Sequence, residues 1–259
     1  SIADAPIVNV LTAANDAANV TAGLSTPIAV LANDRLNGNP VQRADINGPT
    51  ITIQPTQGTV VVNADGTITV SAGVKKGNYD IEYTICDNNN PATNCSTETS
   101  TVVVTAADLV ANLDSVGSVV GGSTSQTLIN VFDNDTKNGQ PLNPSDVTLT
   151  TTTPDPKGVL ILNPDGTITL GANPPAGTYE LTYTICEKLN PGNCSSNTVK
   201  VTVDMPVIDA VAETLTPSIN GSTGGTTTNS VIAGDTLNGV QAVIGTSAGQ
   251  VKLTGINIP

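Results

Sequence analysis

Carboxylates and cysteines are the side chains of this sequence whose types and spacing could do chemistry. Acids gather at Asp16 and Asp34, at Asp108, Asp114, Asp133 and Asp135, and at Asp204, Asp209, Glu213 and Asp235. A hard cation such as calcium takes several oxygen ligands, so these are the candidate calcium residues and calcium the one cofactor considered. No Asp-x-Asp-x-Asp-Gly loop occurs, and turns also demand Asp and Asn, so a solvated acidic surface stands beside calcium as the alternative reading. Four cysteines fall as two close pairs, Cys86 with Cys95 and Cys186 with Cys194. Turn-forming residues separate them, not metal-ligand spacings, which implies two disulfides and an oxidising, extracytoplasmic setting.

Other chemistries find no residues to carry them. The sequence has no histidine, which removes Ser-His and Cys-His nucleophile pairs and leaves zinc only carboxylates or cysteines already committed to disulfides. Paired carboxylates could hydrolyse a glycoside, but that needs a cleft and usually aromatic platforms. The aromatics are Phe132 and four tyrosines, all assigned to the core. Redox exchange would need Cys-x-x-Cys geometry and basic neighbours, which both cysteine loops lack. No catalytic residue is expected, and no enzyme.

With 22 acids against 9 bases and a net charge of -13, the chain repels a phosphate backbone, so nucleic acid is not an expected partner. No apolar run approaches the roughly 18 residues of a membrane span. Ser1-Ile2-Ala3-Asp4 lacks the basic and apolar regions of a signal peptide.

These residues are organised by repetition. "VLANDRLNG" at 30 to 38 returns as "VFDNDTKNG" at 131 to 139 and "VIAGDTLNG" at 231 to 239, a period of about 100 residues. "VVNADGTITV" from 61 matches "ILNPDGTITL" from 161, and "GNYDIEYTIC" from 77 matches "GTYELTYTIC" from 177. The expected division is 1–12 as the end of a preceding repeat or a linker, repeat 1 at 13–107, repeat 2 at 108–205, and the first half of repeat 3 at 206–259. Both ends then look cut, as in a piece of a longer array.

Segments of four to eight residues rich in Val, Ile and Thr alternate with Gly, Pro, Asn and Asp clusters, and no helical period persists. The fold class is all-β, a tandem array of immunoglobulin-like β-sandwich repeats with the third incomplete. Asp65-Gly66 and Asp165-Gly166 read as tight hairpins with positive φ at Gly and tolerated at Asp. In Tyr79 to Cys86, Tyr79, Ile81, Tyr83 and Ile85 share the core face and Cys86 faces outward. The disulfide should therefore staple a hairpin and not bridge two sheets. "NDRLNG" reads first as a turn, with ligand binding the lesser alternative. A Lys-Asn isopeptide staple is set aside because Lys200 is aligned with an apolar position near Val103.

The "VLANDRLNG"-like strand and turn, the "NPDGTITL"-like hairpin and the "YTIC" strand with its answering cysteine resemble tandem Ig-like, cadherin-like repeats of giant Bacteroidetes surface proteins. These include SprB-type gliding-motility adhesins exported by type IX secretion. The resemblance implies an extracellular, cell-surface stalk segment that projects an adhesive tip and bears tension. Its partners would be neighbouring repeats, with the anchor or motility machinery and the substratum met through other regions. It also implies O-glycan acceptors, for which Ser115 in Asp114-Ser115-Val116 and Thr236 in Asp235-Thr236-Leu237 fit. The competing functions are a calcium-dependent or glycan-binding adhesion module, and accessory domains of a secreted enzyme.

Overall fold

The computed structural model describes residues 9–89, 93–247 and 249–255. The first repeat contains ten strands: β1 (Leu11–Thr12), β2 (Ala17–Thr21), β3 (Pro27–Ile28), β4 (Arg35–Leu36), β5 (Asn39–Pro40), β6 (Ile46–Ile53), β7 (Val60–Val62), β8 (Ile68–Val70), β9 (Gly77–Asp87) and β10 (Cys95–Thr105). The second repeats them in order: β11 (Leu109–Val110), β12 (Asp114–Val120), β13 (Gln126–Asn130), β14 (Thr136–Lys137), β15 (Gln140–Pro141), β16 (Val147–Thr153), β17 (Leu160–Leu162), β18 (Thr167–Leu170), β19 (Gly177–Glu187) and β20 (Cys194–Asp204). Beyond these lie β21 (Ile208–Asp209), β22 (Thr236–Leu237) and β23 (Val240–Gln241).

In each repeat, seven strands make two facing sheets. One has the order β2-β10-β9-β6 and the other β3-β8-β7, with β12-β20-β19-β16 and β13-β18-β17 as counterparts. The remaining three form a small ribbon, β1-β4-β5 or β11-β14-β15. Alternation along β9 places Tyr79, Ile81, Tyr83 and Ile85 inward, where they meet Ile28, Val30, Ile46, Ile68 and Val102. The second core repeats this with Tyr179, Leu181, Tyr183 and Ile185 against Val131, Val147, Ile168 and Val201. Every tyrosine and Phe132 is buried. Apolar burial at about 25 cal/mol per Å² is the main stabilising term in so polar a sequence, and few large side chains supply it.

Tyr79 and Tyr179 each sit near the start of the long strand and donate back to a backbone carbonyl, Lys75 O at 3.0 Å and Pro175 O at 2.5 Å. That is the tyrosine corner of Greek-key sandwiches, in which an antibody domain places its inter-sheet cysteine two residues later. Ile81 and Leu181 stand there instead, both buried. The cysteines lie farther along on the outward face. Cys86 is the register partner of Cys95, and Cys186 of Cys194, and both pairs are disulfide-bonded across one hairpin.

Several expectations need correcting. Residues 9–12 do not close a preceding repeat, because Leu11 lies in the first core and Asn9 Nδ2 donates to Asp87 Oδ2 at 2.7 Å; residues 1–8 lie outside the described residues. The tight hairpins expected at 65–66 and 165–166 are present, joining β7 to β8 and β17 to β18. Gly66 N bonds Asn63 O and Asn63 N bonds Thr67 O, so only Gly66 and Gly166 take positive φ, at 87° and 88°. Asp65 instead accepts from Thr67 N and Oγ1 at 3.0 and 2.7 Å, bonds that hold its carboxyl below the usual range. Lys200 is not on an apolar position either. Counting from the paired cysteines it matches Thr101, and it bridges Glu180 at 3.1 Å in solvent.

Beyond the second repeat the small ribbon recurs as β21-β22-β23, with no packed sandwich behind it among the described residues. Ile208 is 65% exposed where Leu11 and Leu109 are each 8% exposed. The difference shows what the long hairpins β9–β10 and β19–β20 cover in the first two repeats.

Candidate functional site: the clasp on the incoming strand

The thrice-repeated turn is formed by Asn37-Gly38, Asn138-Gly139 and Asn238-Gly239, each with both residues at positive φ, between 52° and 79°. This is the turn that suits the twist of a two-residue hairpin, and Asn and Gly are the residues that accept it. Its Asn has a second task. Asn37 N donates to Val10 O at 2.8 Å while its Oδ1 accepts Val10 N at 2.8 Å. Asn138 does the same with Asp108, and Asn238 with Val207.

Three residues before each Asn stands an Asp that grips the same incoming chain four residues on. Asp34 Oδ1 accepts Ala14 N at 2.8 Å, Asp135 Oδ1 accepts Asn112 N at 2.7 Å, and Asp235 Oδ1 accepts Val211 N at 2.8 Å. The six-residue loop is thus a clasp that holds the strand arriving from the preceding repeat at two points. A carboxylate or amide oxygen facing an edge-strand N–H is the cheapest way to satisfy an amide that no sheet partner reaches.

Behind the clasp the acids meet in pairs. The Tyr83 hydroxyl lies 3.0 Å from Asp34 Oδ1, 3.2 Å from Asp16 Oδ2 and 3.0 Å from Val30 O. Tyr183 lies 3.0 Å from Asp135 Oδ1 and 3.1 Å from Asn112 O. Burial raises the carboxyl pKa of Asp16, Asp34 and Asp135. Asp114 is pushed up to about 6, first by burial and then by the neighbouring charge of Asp135, against a hydrogen bond from Tyr183. Burial and the same acids raise both tyrosines, so they act as hydrogen-bond donors only.

Of the candidate calcium residues, Asp16 is brought to Asp34 and Asp114 to Asp135, with Asp133 near enough to Asp114 to be felt electrostatically. Asp235 grips Val211, and Asp108 and Asp209 lie on the gripped strands. Among the described residues no three acids come together as a metal-binding group. Ser115 is exposed on β12 and Thr236 half-buried on β22.

Two acids that the sequence reading passed over complete the arrangement. Asp87 and Glu187 directly follow the outer cysteines, yet both are buried. Asp87 accepts from Asn89 N, Asn9 Nδ2 and Asn94 Nδ2, which hold its carboxyl below the usual range. Glu187 accepts from Asn190 and Asn193, and Asn193 also donates to Ala107 O at 2.9 Å. Each disulfide loop therefore holds the incoming chain from the other side. The signal was the recurrence of an acid after both cysteines, Cys86-Asp87 and Cys186-Glu187.

Among solved structures the chain resembles cadherin ectodomains. Extracellular domains 1–4 of protocadherin gamma B7 match at 12% identity and a TM-score of 0.30, over 81% of this chain and 56% of that one. Mouse cadherin-23 EC22-24 matches at 15% identity and 0.32, over 76% and 65%. Chicken VE-cadherin EC1-2 matches at 14% and 0.32, over 73% and 98%. The chain spans just over half of the protocadherin's length, and likenesses this distant carry no argument about activity. No characterised protein matches it in sequence. The bacterial Ig domain family model matches twice in tandem, at residues 3–105 and 106–204. With most of its length accounted for in this way, the chain belongs to the bacterial Ig domain family.

Proposed function

We propose that these repeats are a load-bearing, non-catalytic segment of an extracellular protein, the stalk of a filamentous surface adhesin that carries tension during attachment or gliding. The observation that carries this reading is the parallel pairing of the first and last long strands of each repeat. β2 runs beside β10 from Ala17↔Thr101 to Thr21↔Thr105, and β12 beside β20 from Asp114↔Val199 to Val120↔Asp204. The chain arrives at the start of β2 and leaves at the end of β10. Pulling the two apart slides parallel strands past one another, so the ladder bonds are loaded together in shear and not opened singly.

The clasp supports the same reading, because tension from the first repeat reaches Asn138 and Asp135 before it reaches the sheets of the second. The outward disulfides fit an oxidising, extracellular setting and limit the chain a yielding repeat can release. Ser115 and Thr236 are the proposed glycan acceptors on this surface.

The test is force spectroscopy on the whole chain with two attachment geometries. Handles at residues 9 and 105 load β2 against β10, whereas handles at 77 and 105 pull the adjacent ends Gly77 and Val104 of an antiparallel pair. The first should resist markedly higher force than the second. Equal forces would overturn the load-bearing reading.

A further inference from the structure

The junction between the first two repeats departs from the repeat pattern in one respect, its charge. Of seven lysines in the chain, four are Lys75, Lys76, Lys137 and Lys188, and all four line two adjoining clefts at this junction. The clefts have volumes of about 750 and 370 Å³ and share Leu189. Lys137 is engaged by Asp146 at 3.2 Å and Glu187 at 3.4 Å. Lys188 Nζ donates to Ser145 O at 2.7 Å, with no carboxylate in reach among the described residues. Lys75 and Lys76 are exposed, and no ion pair to either occurs among the described residues.

Lys137 serves the fold by pairing with the buried Glu187, but the repeat does not conserve a lysine at any of the four positions. At the matching positions Lys75-Lys76 becomes Pro175-Ala176, Lys137 becomes Leu36 or Leu237, and Lys188 becomes Asn88. The cleft at the following junction is lined by Gly121, Asn173, Pro206, Ile208 and others, with no charged side chain. What the repeats share, the cores, tyrosine corners and clasps, serves the fold. A positive groove confined to one junction of a chain of net charge -13 serves something else.

We propose that this groove binds an anionic polysaccharide, its carboxylate or sulfate groups meeting Lys75, Lys76 and Lys188. Gln140 and Asn143 line the first cleft with side-chain amide groups suited to sugar hydroxyls, whereas Asn190 and Asn193 in the second are already bonded to Glu187, Lys76 N and Ala107 O. No aromatic ring lines either cleft, so binding rests on charge and hydrogen bonds and not on stacking. No ring is present to stack the bases of a single-stranded nucleic acid, which separates that partner from a polysaccharide. This goes beyond load bearing, since a repeat can carry tension whether or not its junction holds a glycan.

The experiment is affinity electrophoresis and calorimetry of the whole chain with three probes: polyuronate, dextran sulfate and neutral dextran. Either anionic polymer should retard the chain at 50 mM salt, neutral dextran should not, and binding should weaken by more than tenfold at 200 mM. The two anionic arms tell carboxylate from sulfate. Lys75→Glu with Lys76→Glu, both exposed, should cost at least tenfold in affinity, while Lys157→Glu with Lys252→Glu, an equal charge change elsewhere, should leave it. No retardation, equal loss in both variants, or equally tight binding of single-stranded DNA would each overturn the proposal.

Discussion

Ser100 donates its hydroxyl to Asp16 at 3.0 Å, and in the second repeat its position is held by Val199, the register partner of Asp114. The carboxyl pair of repeat 2 therefore lacks a donor that its counterpart has. Asp114 Oδ2 and Asp135 Oδ2 are both buried without a hydrogen-bond partner, and a buried polar atom left so costs roughly 1 to 3 kcal/mol. Val199→Thr keeps the branched shape and restores a hydroxyl. It is expected to stabilise repeat 2 by about 1 kcal/mol at pH 7.5, and Ser100→Val to destabilise repeat 1 by a similar amount. Urea melts of the two variants against the parent decide it.

The same acid sets a pH dependence. Asp114 has a folded pKa of about 6 against an ordinary 3.8, so between these values the folded state binds more protons than the unfolded state. Stability contributed by this group is then present at low pH and lost as pH rises through about 6. Acidifying from pH 7.5 to 5 should raise the melting temperature of repeat 2, and Asp114→Asn should reduce the rise, leaving the part contributed by Asp135, whose pKa is also raised. Asp65, Asp87 and Asp165, whose pKa values are lowered, remain ionised across that window and do not oppose it.

Tyr83→Phe removes the hydroxyl that bonds Asp34 and Val30 O without changing the core volume. A loss of about 1 to 3 kcal/mol is expected at pH 7.5. The matching Tyr183→Phe in repeat 2 should show a loss that shrinks at pH 5, because Asp114, with a pKa of about 6, is then mostly protonated and can supply the missing donor. Tyr79→Phe, which breaks only the bond to Lys75 O, should show no such pH sensitivity. Denaturant titrations at both pH values separate the variants.

Reducing the disulfides should lower stability by about 2.5 to 3 kcal/mol per repeat on the loop-entropy model while leaving the cores assembled, since both bridges lie on the outward face. Under force the effect is on length. Each ring spans nine or eight residues of separation, so reduction should add about 30 Å to the chain released per repeat at roughly 3.5 Å per residue. Contour-length gains that do not change on reduction would contradict the hairpin-staple geometry.

The sandwich was legible because its signals are local and periodic. Alternation from Tyr79 to Cys86 fixed which face is buried, and the cysteine offset placed the disulfide outside. The turns at Asn37, Asn138 and Asn238 were legible for the same reason. What escaped the sequence were contacts made across long separations. Asp34 reaches Ala14 and Asp87 reaches Asn9, and neither distance in the chain announces the meeting. Acid clustering correctly drew the eye to Asp16, Asp34, Asp114 and Asp135 but suggested a cation, because composition does not show that tyrosine hydroxyls and strand amides already occupy many of their oxygens. Val199 is one Val among many in the sequence, and only its register opposite Asp114 gives it meaning.

Each clasp closes on residues that precede the first strand of its own repeat: Val10, Asp108 and Val207 are held by turns that lie some thirty positions later. The unit that folds is therefore offset from the unit the eye picks out by strands. A gene fragment that begins at Ala17 or Asp114 would encode both sheets yet discard the chain its loop is built to grip. Fragments intended to survive recombination, transplantation or shuffling among such arrays should be cut upstream of the gripped residues, at the joint and not at the sheet.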